Sequence, residues 1–196
     1  MSPRAIASIS WGLPANWVGW SHGESAAAAA EIDVLGEDAT TSAAVAAAVE
    51  EFEETIAEHF PGTWFAALWV PEARRRQPLA TALLRVAAPP PEGRLSVEDV
   101  VEAARDTSAL PRTHKMLDIA ALPGRVSSGD AVLRVADTAP RFSRRVTREW
   151  TWFLLPPGTD RMLLCQVEAS SIAHFDVVGG MAHDIADGVE IELGAP

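Results

Sequence analysis

Residues 145–169 restrict the folds available to this chain more than any other segment. Two runs of strand-forming residues, Arg145 to Leu155 and Arg161 to Ala169, flank the turn sequence Pro156-Pro157-Gly158-Thr159-Asp160. So short a connection joins antiparallel strands, because parallel strands need a crossover of a dozen or more residues. The sequence therefore predicts an antiparallel hairpin. The residues that share one face of its second strand are Leu163, Cys165, Val167 and Ala169.

Three helices are predicted around this hairpin. The first spans residues 42–60, where apolar residues recur at the spacing of one helical stripe. The second, near 96–107, opens on Ser96 and Asp99, which resemble a capping box. The third, 172–186, follows Ser170 or Ser171, and its apolar side carries Phe175, Val178, Ala182 and Ile185. The stripe of the first helix comprises Val45, Val49, Phe52, Ile56 and Phe60.

The remaining strands are expected at 4–11, 63–70, 79–87, 113–121 and 130–136. The last two join around Pro123-Gly124, and Gly12 to Asn16 turn the chain after the first. Residues 21–41 are expected to be irregular, and Arg74, Arg75 and Arg76 fall in a loop between two prolines. Helices set among hairpin-connected strands indicate an α+β fold with a largely antiparallel sheet covered by helices. Residues 1–196 are expected to form a single domain with an acidic N-terminal third.

Cysteine use and hydropathy narrow the class of protein. Cys165 is the only cysteine, which excludes an intramolecular disulfide and a zinc site built on several thiolates, and its position predicts a small core residue. We find no signal-peptide pattern and no run of about 20 apolar residues that would span a membrane. A cytoplasmic protein without a cofactor is therefore expected. Its 15 arginines against one lysine, with abundant alanine, suggest a GC-rich bacterial genome.

The acidic side chains are unevenly distributed. Residues 1–73 carry 11 acidic side chains against one basic one, so nearly all of the formal net charge of −11 lies in the first third. Nucleic acid is an unfavourable partner for such a chain, because phosphate binding depends on clustered positive charge. The charge asymmetry instead concerns protein partners and solubility.

The helix predicted at 42–60 carries part of this acidity away from its apolar stripe, on Glu50, Glu51, Glu54 and Glu58. Two pairs of like charges at i,i+4 lie within a helix that has no lysine or arginine, and each pair costs a few tenths of a kcal/mol. A solvated face is one interpretation. The other is a face that binds a protein with a basic surface, or the chain's own arginines within one molecule or in a self-associated dimer. Those arginines are Arg141, Arg144, Arg145 and Arg148.

Gly19-Trp20-Ser21-His22-Gly23 matches the G-x-S-x-G pattern of the nucleophile elbow in α/β-hydrolases. The elbow requires a strand-to-helix turn above a parallel sheet, with an acid and a histidine later in the chain. A loop that uses glycine for its backbone freedom explains the string equally. A small serine hydrolase centred on Ser21 is therefore kept as an alternative function.

Two further groups of residues are open to functional or plain interpretations. Asp176, His183 and Asp187 share one side of the third helix and resemble metal ligands, but that is the solvent side, so no metal is expected. Trp11, Trp17 and Trp20 crowd the acidic third and are assigned either to packing or to an interface, where tryptophan is enriched.

The order of elements resembles the PsbP/DcrB-like fold group, which includes the LpqN-type bacterial lipoproteins. The segments that carry the resemblance are Leu13-Pro14-Ala15-Asn16-Trp17, Leu122-Pro123-Gly124, and a final strand pair that leads into a helix at Phe175 to Ile185. The resemblance implies an antiparallel sheet covered by helices, in proteins that mostly bind other proteins and lack catalytic residues. Unlike the lipoprotein members, this sequence shows neither a signal peptide nor a lipid-attachment cysteine.

These observations favour a non-enzymatic bacterial interaction or adaptor domain that uses an acidic surface to meet a basic protein partner. The residues expected to bind are Glu50, Glu51, Glu54 and Glu58, with Arg144, Arg145 and Arg148 as the basic counterpart. Besides the hydrolase, a carrier for an apolar small ligand between sheet and helices remains an alternative.

Overall fold

Nine strands and four α-helices account for the regular structure of the residues that the computed structural model describes: 3–32, 39–71, 78–87, 96–108 and 110–195. The predicted loop with Arg74, Arg75 and Arg76 lies outside these residues. A short 3-10 helix, Ile172–His174, precedes the last α-helix. In chain order the elements are β1 Ile6–Trp11, β2 Trp17–Ser21, α1 Ser25–Ile32, α2 Ala39–His59, β3 Thr63–Trp69, β4 Ala80–Val86, α3 Val97–Ala104, β5 His114–Val126, β6 Gly129–Pro140, β7 Thr147–Leu155, β8 Leu163–Ala169, α4 Phe175–Asp187 and β9 Val189–Leu193.

Seven of the strands form one sheet in the order β2-β3-β4-β8-β7-β6-β5, and every neighbouring pair is antiparallel. The remaining two, β1 and β9, pair with each other in a separate antiparallel ribbon. The predicted α+β class with a largely antiparallel sheet is confirmed. The predicted hairpin is confirmed as well, since β7 and β8 pair along their length.

Two local predictions were wrong. Residues 21–41 are not irregular throughout, because β2 ends at Ser21 and α1 covers Ser25–Ile32. The strands expected at 113–121 and 130–136 run on to form one long hairpin, β5 and β6, which turns at Ser127-Ser128 and not at Pro123-Gly124. The strand predicted at 4–11 is present as β1, and it pairs with β9 in the ribbon.

One face of the sheet, here called the α4 face, is closed by α4 and by the β1/β9 ribbon. Apolar side chains from alternate positions of β3, β4, β7 and β8 pack there in the largest core cluster. Trp17 stacks on Trp69 with ring centroids 6.5 Å apart, and Trp150 meets the Phe175 ring edge-on at 6.0 Å. The Trp11 indole donates to the Ile185 carbonyl oxygen at 3.0 Å, which ties the ribbon to α4.

The opposite face, here called the α2-α3 face, carries a helix near each end of the sheet. At one end α2 packs Val45, Val49 and Ile56 against Ala66, Leu68 and Leu83, which confirms the predicted stripe. At the other end α3 packs Val100 and Ala104 against Ala121, Val132 and Leu155. The Ser96 and Asp99 capping box at the start of α3 is present as predicted. Between these two helices the floor of the face is formed by polar side chains of β6, β7 and β8.

Along the free edge of β5, one backbone N–H and one backbone carbonyl are bonded to side chains, and a proline removes a further N–H. The Ile119 N–H donates to Asp118 Oδ1 at 2.9 Å, and the Ala121 carbonyl accepts from Arg105 Nη2 at 3.2 Å. Pro123 follows two residues later and has no N–H. Alternate residues of an antiparallel strand direct their backbone groups to the same edge, so these three positions lie along one side.

Candidate functional site

The acidic row on α2 consists of Glu50, Glu51, Glu54 and Glu58, and all four side chains are exposed as predicted. No arginine or lysine among the described residues forms an ion pair or hydrogen bond with any of them. Among the described residues, Glu58 forms an ion-pair contact with His59, whose Nε2 lies 3.6 Å from a Glu58 carboxylate oxygen at an exposed position. The negative charge of this row therefore faces solvent without a fixed counter-ion from the described chain.

Glu53, also on α2, is directed inward and binds the loop that follows β2. One carboxylate oxygen accepts from the Trp20 indole at 2.7 Å, and the other accepts from the Gly23 N–H at 2.6 Å. His22 Nδ1 lies 2.7 Å from the same second oxygen. Sequence reasoning overlooked Glu53, although it is the one acid on α2 that anchors the helix to the sheet.

The G-x-S-x-G string forms the end of β2 and the turn into α1. Ser21 is the last residue of β2, and His22 lies in the turn that follows it. His22 is held by Glu53, and no hydrogen bond joins the Ser21 hydroxyl to a histidine or carboxylate in the described part of the chain. Gly23 has φ of +89°, which favours glycine. The string serves as a turn and does not bring a nucleophile and base together.

A groove with a volume of about 400 Å³ lies between α2 and β4. We call it the α2 groove. Its helix side is formed mainly by small side chains, and Glu51 of the acidic row lies on it. Phe52 and Leu68 give it an apolar interior, with Pro78 and Thr81 on the sheet side. An apolar group in this groove would be in contact with protein and close to a negative charge.

A polar network covers the middle of the α2-α3 face. Glu149 on β7 accepts hydrogen bonds at one oxygen from Arg134 Nη1 and Thr151 Oγ1, both at 2.6 Å. Its other oxygen accepts from Gln166 Nε2 at 2.7 Å. Gln166 in turn accepts from Arg85 Nη2 at 3.3 Å. The carboxylate of Glu149 is therefore neutralised by Arg134 and held by three donors.

A cleft with a volume of about 260 Å³ lies between this network and the loop after α3, and we call it the Glu168 cleft. Glu168 on β8 is the cross-strand neighbour of Glu149, but no donor bonds its carboxylate among the described residues. The surrounding protein desolvates this carboxyl, and together with the charge of Glu149 this raises the pKa of Glu168. The side chain nevertheless keeps contact with solvent in the mouth of the cleft.

The α2 groove and the Glu168 cleft adjoin each other. Thr81 lines the groove and Glu168 lines the cleft. These two residues are partners in the ladder between β4 and β8, where paired Cα atoms lie about 5 Å apart. The two depressions therefore neighbour each other on the α2-α3 face at this residue pair, with Glu51 in the lining of one and Glu168 in the lining of the other.

The structure does not bring the predicted basic residues to the acidic row. Arg148 lies half-buried on the α4 face, where its guanidinium binds Asp137 through two contacts of 2.6 Å and covers the Phe175 ring at 4.7 Å. The hydrogen bond to Asp137 raises the pKa of Arg148. Arg144 and Arg145 are exposed in the turn between β6 and β7. The pairing within one molecule, which the sequence left as one alternative, is therefore not formed among the described residues.

The potential metal ligands on α4 have other partners. Asp187 accepts from the Ser127 N–H at 2.7 Å and the Ser127 hydroxyl at 2.9 Å, and these bonds lower the pKa of Asp187. The His183 ring packs on Trp152 at a centroid distance of 5.4 Å. Across the residues that the structure describes, no group of three His, Cys, Asp or Glu side chains could hold a metal ion. Asp187 instead attaches the β5-β6 turn to α4.

The space between the sheet and α4 is filled by side chains. A Cβ on Gly179 would lie 3.2 Å from the Trp150 indole nitrogen, so this glycine permits close approach of helix and sheet. Cys165 is fully buried there, and burial raises the pKa of its thiol, which keeps it protonated and unreactive. Trp17 and Trp20 are also buried, and Trp11 is bonded to α4, which resolves the open question on these tryptophans in favour of packing.

None of the helices that the structure describes is both long and apolar enough to cross a membrane.

The sequence matches no protein-family model and no curated protein. Among solved structures, the chain is similar to LpqN, which is described as involved in cell envelope biogenesis of Mycobacterium tuberculosis: identity is 12%, the TM-score is 0.51, and 97% of this chain and 86% of LpqN are covered. It is also similar to cyanobacterial PsbP (CyanoP) from Synechocystis sp. PCC 6803, with 10% identity, a TM-score of 0.47 and coverage of 96% and 95%. The similarity to LpqN confirms the expected resemblance for the fold: this chain has an LpqN-like α+β fold.

Proposed function

We propose that this chain is a non-catalytic protein-interaction domain that binds a basic segment of a protein partner along the acidic row of α2. The observation that carries the proposal is the placement of Glu50, Glu51, Glu54 and Glu58, exposed on one helix without a cation from the described chain. Like charges at i,i+4 slightly destabilise a helix. A basic partner would remove that cost and add favourable ion pairs.

The α2 groove indicates the chemistry of the partner segment. Ala44, Ala47 and Ala48 leave room beside the helix, while Phe52 and Leu68 offer apolar contact. Glu51 lines the same groove. The site therefore suits a segment in which an apolar side chain lies next to a lysine or arginine, with the apolar group in the groove and the cation at Glu51.

A peptide array tests this function directly. Peptides of equal length would vary in net charge and in the presence of one central leucine, and their binding to the full chain would be measured by fluorescence anisotropy. We expect binding to increase with positive charge and with leucine, and to weaken between about 50 mM and about 300 mM salt, because salt screens exposed charges.

Two charge-reversed variants distinguish an effect of the α2 row on binding from an effect of the net charge of the chain. E51K/E58K alters two exposed acids on α2, whereas E98K/E102K makes the same charge change on exposed positions of α3. We expect the first variant to lose peptide binding and the second to retain most of it. Equal losses in both variants, or binding that ignores peptide charge, would show that the α2 row is not the site.

Self-association is a second candidate, favoured by the exposure of Arg144 and Arg145. The acidic row of one copy would then meet these arginines of another copy, in a heterologous contact that can close into a ring or continue as a filament. Sedimentation velocity over a range of concentrations tests this. Association that disappears in R144E/R145E and returns when R144E/R145E is mixed with E51K/E58K would support it, whereas a monomer at every concentration would exclude it.

The cytoplasm remains the compartment that we propose for this interaction. An accessory role in the cell envelope is the competing proposal, since LpqN is described as involved in cell envelope biogenesis. Fractionation of the bacterial host, with the endogenous chain followed by antibody beside a periplasmic and a cytoplasmic marker, distinguishes the two. Recovery with the periplasmic or membrane fraction would overturn the cytoplasmic proposal without affecting the α2 site.

A further inference from the structure

We propose that the Glu168 cleft is a second binding site, which takes an aliphatic cation: an ammonium or guanidinium group on an apolar stem, with the Glu168 carboxylate as its ion-pair partner. This inference does not depend on the acidic row of α2. It rests on the volume of the cleft, on its lining, and on the contrast between Glu168 and its neighbour Glu149.

The two glutamates are adjacent in the ladder between β7 and β8 but differ in their partners. Glu149 is satisfied by three donors, one of which is the cation Arg134. Glu168 has no donor from the described residues. A carboxylate beside a second, already compensated carboxylate is stabilised by a cation that arrives from outside.

The lining of the cleft identifies the rest of the ligand. Leu110 and Pro111 from the loop after α3, Met116 from β5 and Ala136 from β6 contribute apolar surface to the same cleft, on the side of Glu168 towards β5. The volume of about 260 Å³ is several times the roughly 30 Å³ that one water molecule occupies. The site therefore has room for an alkyl chain as well as the charged group.

A divalent metal ion fits these residues poorly. Calcium and magnesium require several oxygen ligands arranged around the ion. In the cleft the Glu149 carboxylate is occupied by Arg134, and Asp106 is bonded to the N–H and hydroxyl of Ser108 at 2.8 and 2.6 Å. Glu168 alone remains, which suits one ion pair with an organic cation.

The cation can come from two sources, a lysine or arginine side chain of a bound segment or a free alkyl amine. Because the cleft neighbours the α2 groove at the Thr81 and Glu168 pair, a segment that crosses from the groove at this pair would bring a side chain to the cleft. Both sources present the same chemistry to Glu168. The experiment below therefore includes one probe for each source.

NMR titration of the full chain, with observation of the Met116 methyl group and the His114 ring, tests the site. The probes are N-acetyl-lysine methylamide, butylammonium, and N-acetyl-norleucine methylamide as a neutral match for the lysine probe. We expect the cationic probes to shift these signals, and E168Q to weaken their binding at least about tenfold. E98Q on the exposed side of α3 serves as the matched control and should bind like the unaltered chain.

The outcomes are distinct from those for the α2 row. Saturable binding of either cationic probe that requires Glu168 supports the site, and stronger binding of the lysine probe than of butylammonium identifies a side chain as the source. Equal binding of norleucine, binding that survives in E168Q, or no binding of any probe overturns it. The probes should bind E51K/E58K normally, so this site can stand if the α2 proposal fails, and the reverse also holds.

Discussion

The two faces of the seven-stranded sheet are built from alternate residues of the same strands, yet they differ in almost every physical property. On the α4 face Trp150, Trp152 and Cys165 are buried beneath a helix. On the α2-α3 face their immediate neighbours Glu149, Thr151 and Gln166 form a polar network beside a cleft. One strand therefore supplies the apolar core on one side of the sheet and a polar, partly solvated surface on the other. Substitutions on the two faces should therefore have different consequences.

Neighbouring leucines on β8 offer the strongest test of this difference. Leu163 is fully buried on the α4 face, whereas Leu164 is half-buried on the α2-α3 face. L163A should lower the free energy of unfolding by about 2–5 kcal/mol, and L164A by about 1 kcal/mol or less, because only the first leaves a closed cavity. Urea denaturation measures both. Equal losses would mean that the α2-α3 face is as tightly packed as the other.

Glu53 should have the next largest effect, because it is the polar anchor of α2. In E53Q one of the two carboxylate oxygens becomes an amide nitrogen, which cannot accept a hydrogen bond. The side chain can then no longer accept hydrogen bonds from both the Trp20 indole and the Gly23 N–H. We expect a loss of about 1–3 kcal/mol in the free energy of unfolding, as for a donor left without a partner. E54Q, on the exposed row of the same helix, is the control and should be close to neutral.

Glu168 and Asp187 should respond to pH with opposite signs. The folded-state pKa of Glu168 is raised, so its stabilising contribution is fully present below the unfolded pKa and is lost as pH rises through the folded pKa. E168Q should therefore melt at a higher temperature than the unaltered chain at neutral pH. That advantage should shrink on acidification towards the ordinary glutamate pKa of about 4.3.

The folded-state pKa of Asp187 is lowered, so its contribution is present above the unfolded pKa and is lost as pH falls through the folded pKa. D187N should therefore be less stable than the unaltered chain at neutral pH and approach it in acid. Thermal melts of E168Q and D187N across the same pH series provide the measurement. If both variants were more stable, or both less stable, than the unaltered chain at neutral pH, the environments assigned to Glu168 and Asp187 would be contradicted.

The smallest effect is expected on the acidic row. E54K replaces the central member of the two like-charge pairs that Glu54 forms with Glu50 and Glu58. The substitution should stabilise the chain by a few tenths of a kcal/mol, because repulsion becomes attraction on an exposed helix face. Denaturation at low and high salt should show the gain shrinking as salt increases. A clear destabilisation would mean that Glu54 has a structural partner.

Elements with strong local signals could be predicted from the sequence, and elements that depend on distant partners could not. The stripe of α2, the capping box of α3 and the short turn between β7 and β8 are each contained in a few neighbouring residues. By contrast, β2 has five residues and gains its identity by pairing with β3, over forty residues away. The ribbon strand β9 was missed although Val189, Ile191 and Leu193 alternate with glutamates, which is the pattern of a strand.

Only one part of the candidate site, the α2 row, could be predicted from the sequence. The α2 row was found because four glutamates at helical spacing need no tertiary information. Glu149, Gln166 and Arg134 come together through the registers of β6, β7 and β8, so their separation in sequence hides the network. The sequence does contain one indication of this network. In the strands β7 and β8, polar residues occupy the positions that alternate with the apolar residues, so they must share the other face of the sheet. The bond between Arg148 and Asp137 could not be predicted either, because Asp137 lies on the neighbouring strand of the same ladder.

The free edge of β5, where backbone hydrogen-bonding groups are occupied or absent, limits the directions from which a partner can approach. With the Ile119 N–H and the Ala121 carbonyl occupied and Pro123 lacking a donor, another strand cannot add itself to the sheet along this stretch. Sheet extension is the common route by which exposed β-structure polymerises, and here it is blocked at low cost. Along this stretch a partner must therefore approach over a face of the sheet and not by extending the sheet at the β5 edge.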